Sequence, residues 1–544
     1  MEKLEQGIKV KNLDHLGIVS GIIDELGIVE EIDRLIPSDR KVSIGTMIKA
    51  LILNSMGFSQ HALYITPSFF EQCPVEHLLG AQYVASDFND DSIGRCLDGM
   101  FSYGLNKLFV QVAHKACEVA GLVELFYHVD STNFSVEGSY EDEANAVKLR
   151  HGFAKDKRFD LKQVTLGLIT SYQTAIPRYM QAFDGNASDK ETLVTLINNF
   201  VSCFKEGESV GIFISDAGIY SADNICNDLK AIEWITRVPE TIGEAKKLLE
   251  ETQSIDLQDS TSFKGYRYLA VPSNYGGVAQ RWFVIESAPL AKAVTKTYTG
   301  KAQKQIEQSE QKINKKKDYL FKLFEEPTEW LTWVAELEKK HPLVNIECKL
   351  VETQYYCKAG RPKPENLRWA QKIESFICTI NFEAVQKIVE RKSRFILTTN
   401  VLDTERLPDE SVLENYKAQA SSVENGFGFL KDPIFFAESF FVKKPSRVEG
   451  LLMIMTLSLL VYSLCERKLR MALEDAKETV DNQIAKPTAK PTMRMVFNLF
   501  RGIHLVLNSQ NQQPFAFCTN LTENHKKIIR LLGPFIANYY FLRI

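Results

Sequence analysis

The stretch Leu125–Glu137, with the sequence LFYHVDSTNFSVE, predicts a buried strand that is interrupted by a single carboxylate, Asp130. Three small polar residues follow this aspartate directly. A charge inside a buried strand costs several kcal/mol unless something compensates it. A metal ion, a cation or a set of backbone donors is the usual compensation, so Asp130 is a candidate ligand of a metal site.

Composition places the 544-residue chain among ordinary globular proteins, with 45% hydrophobic and 25% charged residues. Its length predicts two to four domains. The formal net charge of −4 gives no global basic signal, so a nucleic-acid partner requires a local basic surface. The ten cysteines are scattered without a CxxC pair or zinc-ligand spacing, which excludes a zinc-finger class.

The most apolar segment, Gly450–Cys465, is shorter than the roughly 20 residues that a membrane-spanning helix needs. A buried helix in a protein core is therefore predicted, and no membrane partner. The N-terminal residues contain no apolar segment typical of a signal peptide, so a cytoplasmic location is expected.

Amphipathic periodicity predicts a helical domain over residues 1–120. Such a domain could bind DNA ends or mediate dimerisation. A packing role is equally compatible with the pattern.

Strand and helix patterns alternate over residues 121–238, which predicts a mixed α/β sheet. Val123–Val136 is predicted to form a strand pair or one long strand. Further strands are predicted at Leu161–Tyr172, Val210–Ser215 and Ile232–Val238, and a helix follows the capping box that begins at Ser188.

Residues 239–390 are predicted to form an α+β insertion domain with a projecting helical arm, Lys301–Phe324. Its lysines form a locally basic surface or an ordinary solvated face. The α/β pattern returns over 391–475, with helices predicted at Val412–Leu430 and Gly450–Leu469. Residues 476–544 are predicted to be a C-terminal helical region.

Asp216 is a second carboxylate at the end of an apolar strand, where it precedes a glycine-containing turn. Ligands collect at the carboxyl ends of strands in α/β sheets. Taken singly, Asp130 and Asp216 are each more often turn or capping residues.

Glu424 is a third candidate, because helical spacing places it on one stripe with Tyr416, Ala420, Phe427 and Lys431. An exposed Glu–Lys face is the alternative interpretation. Together the three acids could hold two divalent cations about 4 Å apart, as enzymes of phosphoryl transfer do. An all-oxygen ligand set suits Mg²⁺.

At these residues the sequence resembles the DDE transposases of bacterial insertion sequences. Within them it looks like the group with a Tyr-Arg-Glu-Lys signature and a separate helical N-terminal domain. The resemblance covers most of the chain and rests on the order of seven segments. These are HVDSTNFSVEG (128–138), HGFAKDKRFDLKQVTLGL (151–168), DGNASDKETL (184–193), SDAGIYSADN (215–224), AQRWFVIESA (279–288), SRFILTTN (393–400) and YKAQASSVENGFGFLKDP (416–433).

The resemblance implies an α/β, RNase H-like catalytic core with an insertion domain between the second Asp and the Glu. Asp130, Asp216 and Glu424 match the catalytic triad, and Tyr416 and Lys431 match the signature. This chain departs from the pattern in three places: Gln419 stands for the signature arginine, Glu424 lies one residue further on, and Ala154 replaces a common serine.

The activity implied is Mg²⁺-dependent cleavage at terminal inverted repeats and joining of the free 3′-ends to target DNA. Two Mg²⁺ ions are expected, with Mn²⁺ as a substitute, and the partners expected are double-stranded DNA and a second copy of the chain. The expected DNA contacts are Lys155, Lys157, Arg158, Lys162, Tyr416, Gln419 and Lys431. A solvated loop is the alternative for the first four.

Two other functions stay open. The same core could be a metal-dependent nuclease without strand transfer. It could also belong to a non-catalytic DNA-binding protein descended from a transposase, an interpretation that Gln419 favours.

Overall fold

The computed structural model describes residues 8–58, 65–152, 158–172, 174–205, 210–320, 327–433, 442–508 and 515–543. The described residues fall into two compact units. Unit 1 comprises those of Met1–Thr236, Asn274–Gln280 and Thr399–Ile544, and unit 2 comprises those of Arg237–Ser273 and Arg281–Thr398. The boundary predicted at residue 120 does not coincide with a boundary between these units, and the five predicted segments stay predictions about separate folding domains.

The N-terminal part of unit 1 is helical after one short strand, as the amphipathic pattern predicts. Ser43 begins one of the helices by accepting a hydrogen bond from Thr46 N. The elements are β1 (Ile8–Asn12), α1 (Leu16–Glu25), α2 (Ile28–Leu35), α3 (Ile44–Met56), α4 (Thr66–Gln72), α5 (Val75–Leu79), α6 (Asp90–Tyr103) and α7 (Leu105–Val119).

The mixed sheet of unit 1 follows in the chain. Its elements are β2 (Phe126–Val136), β3 (Lys162–Ser171), β4 (Pro177–Asp184), α8 (Asp189–Val201), β5 (Ile212–Ser215) and β6 (Glu233–Val238). The strand order is β4-β3-β2-β5-β6. The first three strands pair antiparallel, whereas β2, β5 and β6 run parallel. This order confirms the predicted RNase H-like core and places β2 at its centre.

Unit 2 combines strands with a long helix and an antiparallel ribbon. Its elements are α9 (Gly243–Glu251), β7 (Gln258–Asp259), β8 (Tyr266–Ser273), β9 (Gln280–Ser287), α10 (Ala288–Leu320), α11 (Pro327–Lys340), β10 (Val344–Tyr356), β11 (Leu367–Ile380), α12 (Phe382–Lys392) and β12 (Arg394–Thr399). The predicted arm corresponds to α10, which begins earlier than Lys301, and residues 321–326 lie outside the described residues. Strands β10 and β11 form a ribbon that the sequence did not predict.

The remaining elements belong to unit 1. They are α13 (Asp409–Lys417), α14 (Val423–Leu430), α15 (Pro445–Ala476), β13 (Val480–Asp481), β14 (Pro487–Thr488), α16 (Met493–Leu499), β15 (His504–Asn508), β16 (Phe515–Cys518), α17 (Glu523–Leu532) and α18 (Pro534–Tyr539). The prediction of a wholly helical C-terminal region is wrong, because β15 pairs with β1 and β16.

Helix α15 is the apolar segment that the sequence predicts to be buried. By length and composition it could cross a membrane, but 83% of its most apolar window is buried within the protein. It packs against α1, α3, α6 and α7 and joins the largest hydrophobic core of unit 1. Its apolar side chains are therefore satisfied by protein contacts.

The single helix predicted over Val412–Leu430 is wrong. Helix α13 ends at Lys417, a short 3-10 turn follows, and α14 begins only after Ser422. The Ser422 hydroxyl lies 2.7 Å from Thr170 Oγ1 and 2.7 Å from the Ser171 carbonyl oxygen on β3. These contacts hold the backbone at φ −112°, ψ −99°, which is not helical, so the segment bends at this serine.

Candidate active site

Asp130 and Asp216 lie on neighbouring parallel strands. The last registered pair of β2 and β5 is Val129 with Ser215, and the two aspartates are the next residues along each chain. Registered residues of adjacent strands share a face of the sheet. The structure therefore brings these two predicted carboxylates together at the carboxyl end of β5.

Local donors fix both carboxylates. Ser131 N donates to Asp130 Oδ1 at 2.7 Å, and the Tyr416 hydroxyl donates to Asp216 Oδ1 at 3.0 Å. Thr236 on β6 donates its hydroxyl to the Asp216 carbonyl oxygen at 2.9 Å. Asp130 is half-buried and Asp216 is exposed, so the carboxylate groups of both residues lie near solvent.

The segment from α13 to α14 crosses the face of β2 that carries Asp130. His128 Nε2 donates to the Asn415 carbonyl oxygen at 3.0 Å, and Lys431 Nζ donates to Thr132 Oγ1 at 2.6 Å. His128, Asp130 and Thr132 alternate along the strand, so they point to one face. The two hydrogen bonds, one at His128 and one at Thr132, lie on either side of Asp130 along β2.

Glu424 lies in the first turn of α14 and is exposed. Lys431 directly follows the last residue of α14, seven residues or about two helical turns from Glu424. Lys431 Nζ also lies 5.4 Å from the centre of the Phe134 ring. The C-terminal end of α14 therefore lies against the sheet face that carries Asp130.

Within the described ranges, no group of three or more His, Cys, Asp and Glu side chains is arranged to hold a metal ion. The predicted convergence of all three carboxylates is therefore not present in this conformation. Electrostatic repulsion between carboxylates opposes such an assembly until a cation is bound. The donor chemistry itself, carboxylate oxygens beside hydroxyl groups, is the type that Mg²⁺ prefers.

The other predicted DNA contacts have different surroundings. Arg158 forms a 3.2 Å ion pair with Asp160 at the surface. Lys162 donates to the backbone carbonyl groups of Ser139 and Tyr140. Gln419 is only 5% exposed, so a contact between its amide and DNA would require the segment to move. Lys155 and Lys157 lie outside the described residues.

Two positioning residues were missed in the sequence. His128 lies two residues before Asp130, and strand alternation could have placed it on the same face. The residues next to Ser422 in the sequence do not predict its role, because its hydrogen-bond partners lie in another part of the chain. These partners are the Thr170 hydroxyl, the Ser171 carbonyl oxygen and the Thr174 carbonyl oxygen, the last at 2.9 Å.

Burial lowers the pKa of His128 from 6.5 to about 4, and its hydrogen bond to Asn415 opposes this shift. The unfolded chain therefore binds more protons than the folded chain between these two pKa values. Stability from neutral His128 is fully present above pH 6.5 and is lost as the pH falls towards 4.

We expect His128→Gln to remove this acid sensitivity. The apparent free energy of unfolding of the wild type, minus that of the variant, should fall by about 2–3 kcal/mol between about pH 7 and about pH 4.5. Urea unfolding at both pH values measures it. The exposed His151 provides the control, since His151→Gln should leave the pH profile unchanged. A pH-independent difference for His128→Gln would show that burial does not hold this imidazole neutral.

Comparison with known proteins bears on this arrangement. A family profile described as "Transposase DDE domain" matches residues 123–461, and one described as "Domain of unknown function (DUF4277)" matches residues 8–114. No curated protein sequence matches the chain. Among solved structures, the chain is similar to a piggyBac transposase synaptic complex with hairpin DNA, at 10% identity and a TM-score of 0.37. That similarity covers 90% of this chain and 79% of the other.

Proposed function

Because the chain belongs to the transposase DDE domain family, we propose that it is an insertion-sequence transposase that cuts DNA and joins it to a new site. In this proposal it cuts phosphodiester bonds at the terminal inverted repeats of its element. It then joins the free 3′-ends to target DNA, as a homodimer in the active complex. The single observation that supports the proposal is the parallel register of β2 and β5, whose last pair, Val129 with Ser215, is followed directly by Asp130 and Asp216.

Asp130, Asp216 and Glu424 would hold two Mg²⁺ ions, with Mn²⁺ as a substitute. Such a pair supplies an activated water or 3′-hydroxyl and stabilises the leaving oxygen of an in-line displacement. The chain contributes orientation: Ser131 N and the Tyr416 hydroxyl restrict the rotation of the two strand carboxylates. Pre-set ligands lose less conformational freedom when a cation binds.

Glu424 would complete the site when cation and DNA are bound. It lies on a short helix whose two ends are tied to β2 and β3 through Lys431 and Ser422. The Lys431 ammonium, held beside Thr132 on the same sheet face, would contact a DNA phosphate close to the reacting bond. Tyr416 would reach DNA only by exchanging its bond to Asp216.

Purified protein, Mg²⁺, linear DNA with the sequences that flank the gene, and a supercoiled target plasmid test the proposal. We expect nicks that leave 3′-hydroxyl groups at the repeat ends, followed by joined products. DNA with scrambled ends should give neither product.

Two outcomes would contradict it. Cleavage without joining would identify a nuclease on the same core. DNA binding with no cleavage would identify a non-catalytic DNA-binding protein, the function favoured by Gln419 at the position of the signature arginine and by its burial.

A further inference from the structure

The ribbon of β10 and β11 is long compared with the part of unit 2 that supports it. The two strands pair continuously, apart from one irregularity, from the pair of Val344 with Ile380 to the pair of Tyr356 with Leu367. At about 3.3 Å per residue, strand β10 spans about 40 Å. A two-stranded ribbon of this length is marginally stable alone, so its base must be held by packing.

The base of the ribbon packs into a core. Ile346 and Ile373 join Trp330 of α11 in a buried cluster. The Trp330 indole donates to the Gln371 carbonyl oxygen at 3.3 Å. Beyond it, residues 356–365 are all exposed. The distal part of the ribbon is therefore an exposed surface among the described residues of unit 2.

This distal part, residues 356–369, is here called the ribbon tip. It carries Lys358, Arg361, Lys363 and Arg368 against a single acid, Glu365. That excess of three positive charges stands out in a chain whose formal net charge is −4. A cluster of one sign on a projecting element creates a local field that attracts polyanions.

The positive charges of the ribbon tip are largely uncompensated. Among the described residues, neither Lys358 nor Arg361 has an ion-pair partner. Lys363 lies 3.8 Å from Glu365, and both side chains are mostly exposed, so water screens this pair. Arg368 donates to two backbone carbonyl groups, those of Glu365 and Leu367.

The shape of the ribbon tip is set by its sequence. Pro362 and Pro364 fix their φ angles, and Cys357 N donates to the Asn366 carbonyl oxygen at 2.9 Å across the loop. Tyr356 and Trp369 project from one face and are 49% and 61% exposed. Rigid cationic loops lose little conformational freedom on binding, and exposed aromatic rings offer stacking or groove contacts.

We propose that the ribbon tip binds double-stranded DNA through its phosphate groups, independently of base sequence. Lys358, Arg361 and Lys363 supply the phosphate contacts, and the two-stranded ribbon has dimensions that the major groove admits. The inference rests on the proposed function only in taking DNA as the partner. It adds a second DNA-binding surface, separate in the chain from Asp130, Asp216 and Glu424.

The full-length triple variant Lys358→Gln, Arg361→Gln, Lys363→Gln tests the proposal by fluorescence anisotropy with a duplex of random sequence over a range of KCl concentrations. The slope of log affinity against log salt should become shallower by about 2–3, because three phosphate contacts are lost. Affinity at moderate salt should fall at least about tenfold.

The matched control removes three exposed lysines of α10 in the same unit, Lys292→Gln, Lys296→Gln, Lys304→Gln, and should keep the wild-type slope. Equal slopes for the two triple variants would overturn the proposal. If the ribbon tip triple variant lost affinity only for single-stranded DNA of the same length, the choice of double-stranded DNA as the partner would be overturned. A wild type that binds no duplex would overturn it as well.

End cleavage measured in parallel separates this result from the proposed function. If the wild type cuts element ends and joins them to target DNA and Asp130→Asn does neither, the transposase proposal stands even when the ribbon tip proves irrelevant to DNA binding. If the ribbon tip variant loses salt-dependent binding while no protein cuts DNA, the tip proposal stands and the catalytic one fails.

Discussion

Asp216→Asn and Asp130→Asn are each expected to lower the rate of end cleavage by about 10³-fold or more, which corresponds to about 4 kcal/mol in the activation barrier. The amide has nearly the shape of the carboxylate but lacks the charge that attracts a divalent cation. Asp216 is exposed, so its replacement should leave the fold intact. Initial cleavage rates at saturating Mg²⁺, together with DNA affinity, measure the effect.

Asp228→Asn is the matched control for both variants, because Asp228 is an exposed aspartate of the same unit outside the site. It should retain the wild-type rate. DNA affinity should change little in all three proteins, since the carboxylates are not phosphate contacts. A strand variant that cuts DNA like the wild type would remove that aspartate from the site.

Glu424→Gln is expected to reduce end cleavage by a similar factor, about 10³-fold. The loss would arise because the third carboxylate is the ligand that completes the cation site on the α14 side. Glu424 is exposed and α14 keeps its anchors at Ser422 and Lys431, so folding should be unaffected. The same rate assay applies, with the exposed Glu405→Gln as control.

Normal cleavage by Glu424→Gln would assign the third ligand elsewhere. Equal loss in Glu424→Gln and Glu405→Gln would point to a general effect of charge rather than to a ligand. This variant carries more weight than the aspartate variants, because the described residues contain no preassembled group of three ligands.

The sequence could predict the central sheet because its signal is local. The apolar runs around Val129 and Ile214 each form one buried strand, β2 and β5. Asp130 lies inside β2, whereas Asp216 directly follows the end of β5. Strand β4, by contrast, was not predicted, although it pairs with β3 over most of its length.

The sequence could not predict the break at Ser422. Residues Val412–Leu430 carry a helical pattern throughout, but the serine hydroxyl bonds to Thr170 and to backbone carbonyl groups about 250 positions away in the chain. As a result Tyr416 lies on α13 and Glu424 lies on α14, whereas Lys431 is the residue that directly follows α14. The segment that carries the predicted stripe therefore forms two short helices, and each of them has its own hydrogen bonds to the sheet.

Long-range pairing accounts for the C-terminal error. Strand β15 forms its register with β1, for example Asn12 opposite His504, and no local pattern records a partner so distant. The ribbon of β10 and β11 was missed for a different reason. Strand β10 does carry a local signal, because apolar and polar residues alternate over Val344–Leu350 and their burial alternates with them, but the sequence interpretation did not use it.

The central claim is that Asp130, Asp216 and Glu424 hold one cation site when DNA is bound. The most direct measurement replaces Mg²⁺ by Fe²⁺ in the complex with element-end DNA and adds ascorbate, so that radicals cut the backbone next to the metal. Three sets of cuts are predicted, near residues 130, 216 and 424, and excess Mg²⁺ should suppress all of them. Cuts near Asp130 and Asp216 with none near Glu424 would contradict the claim.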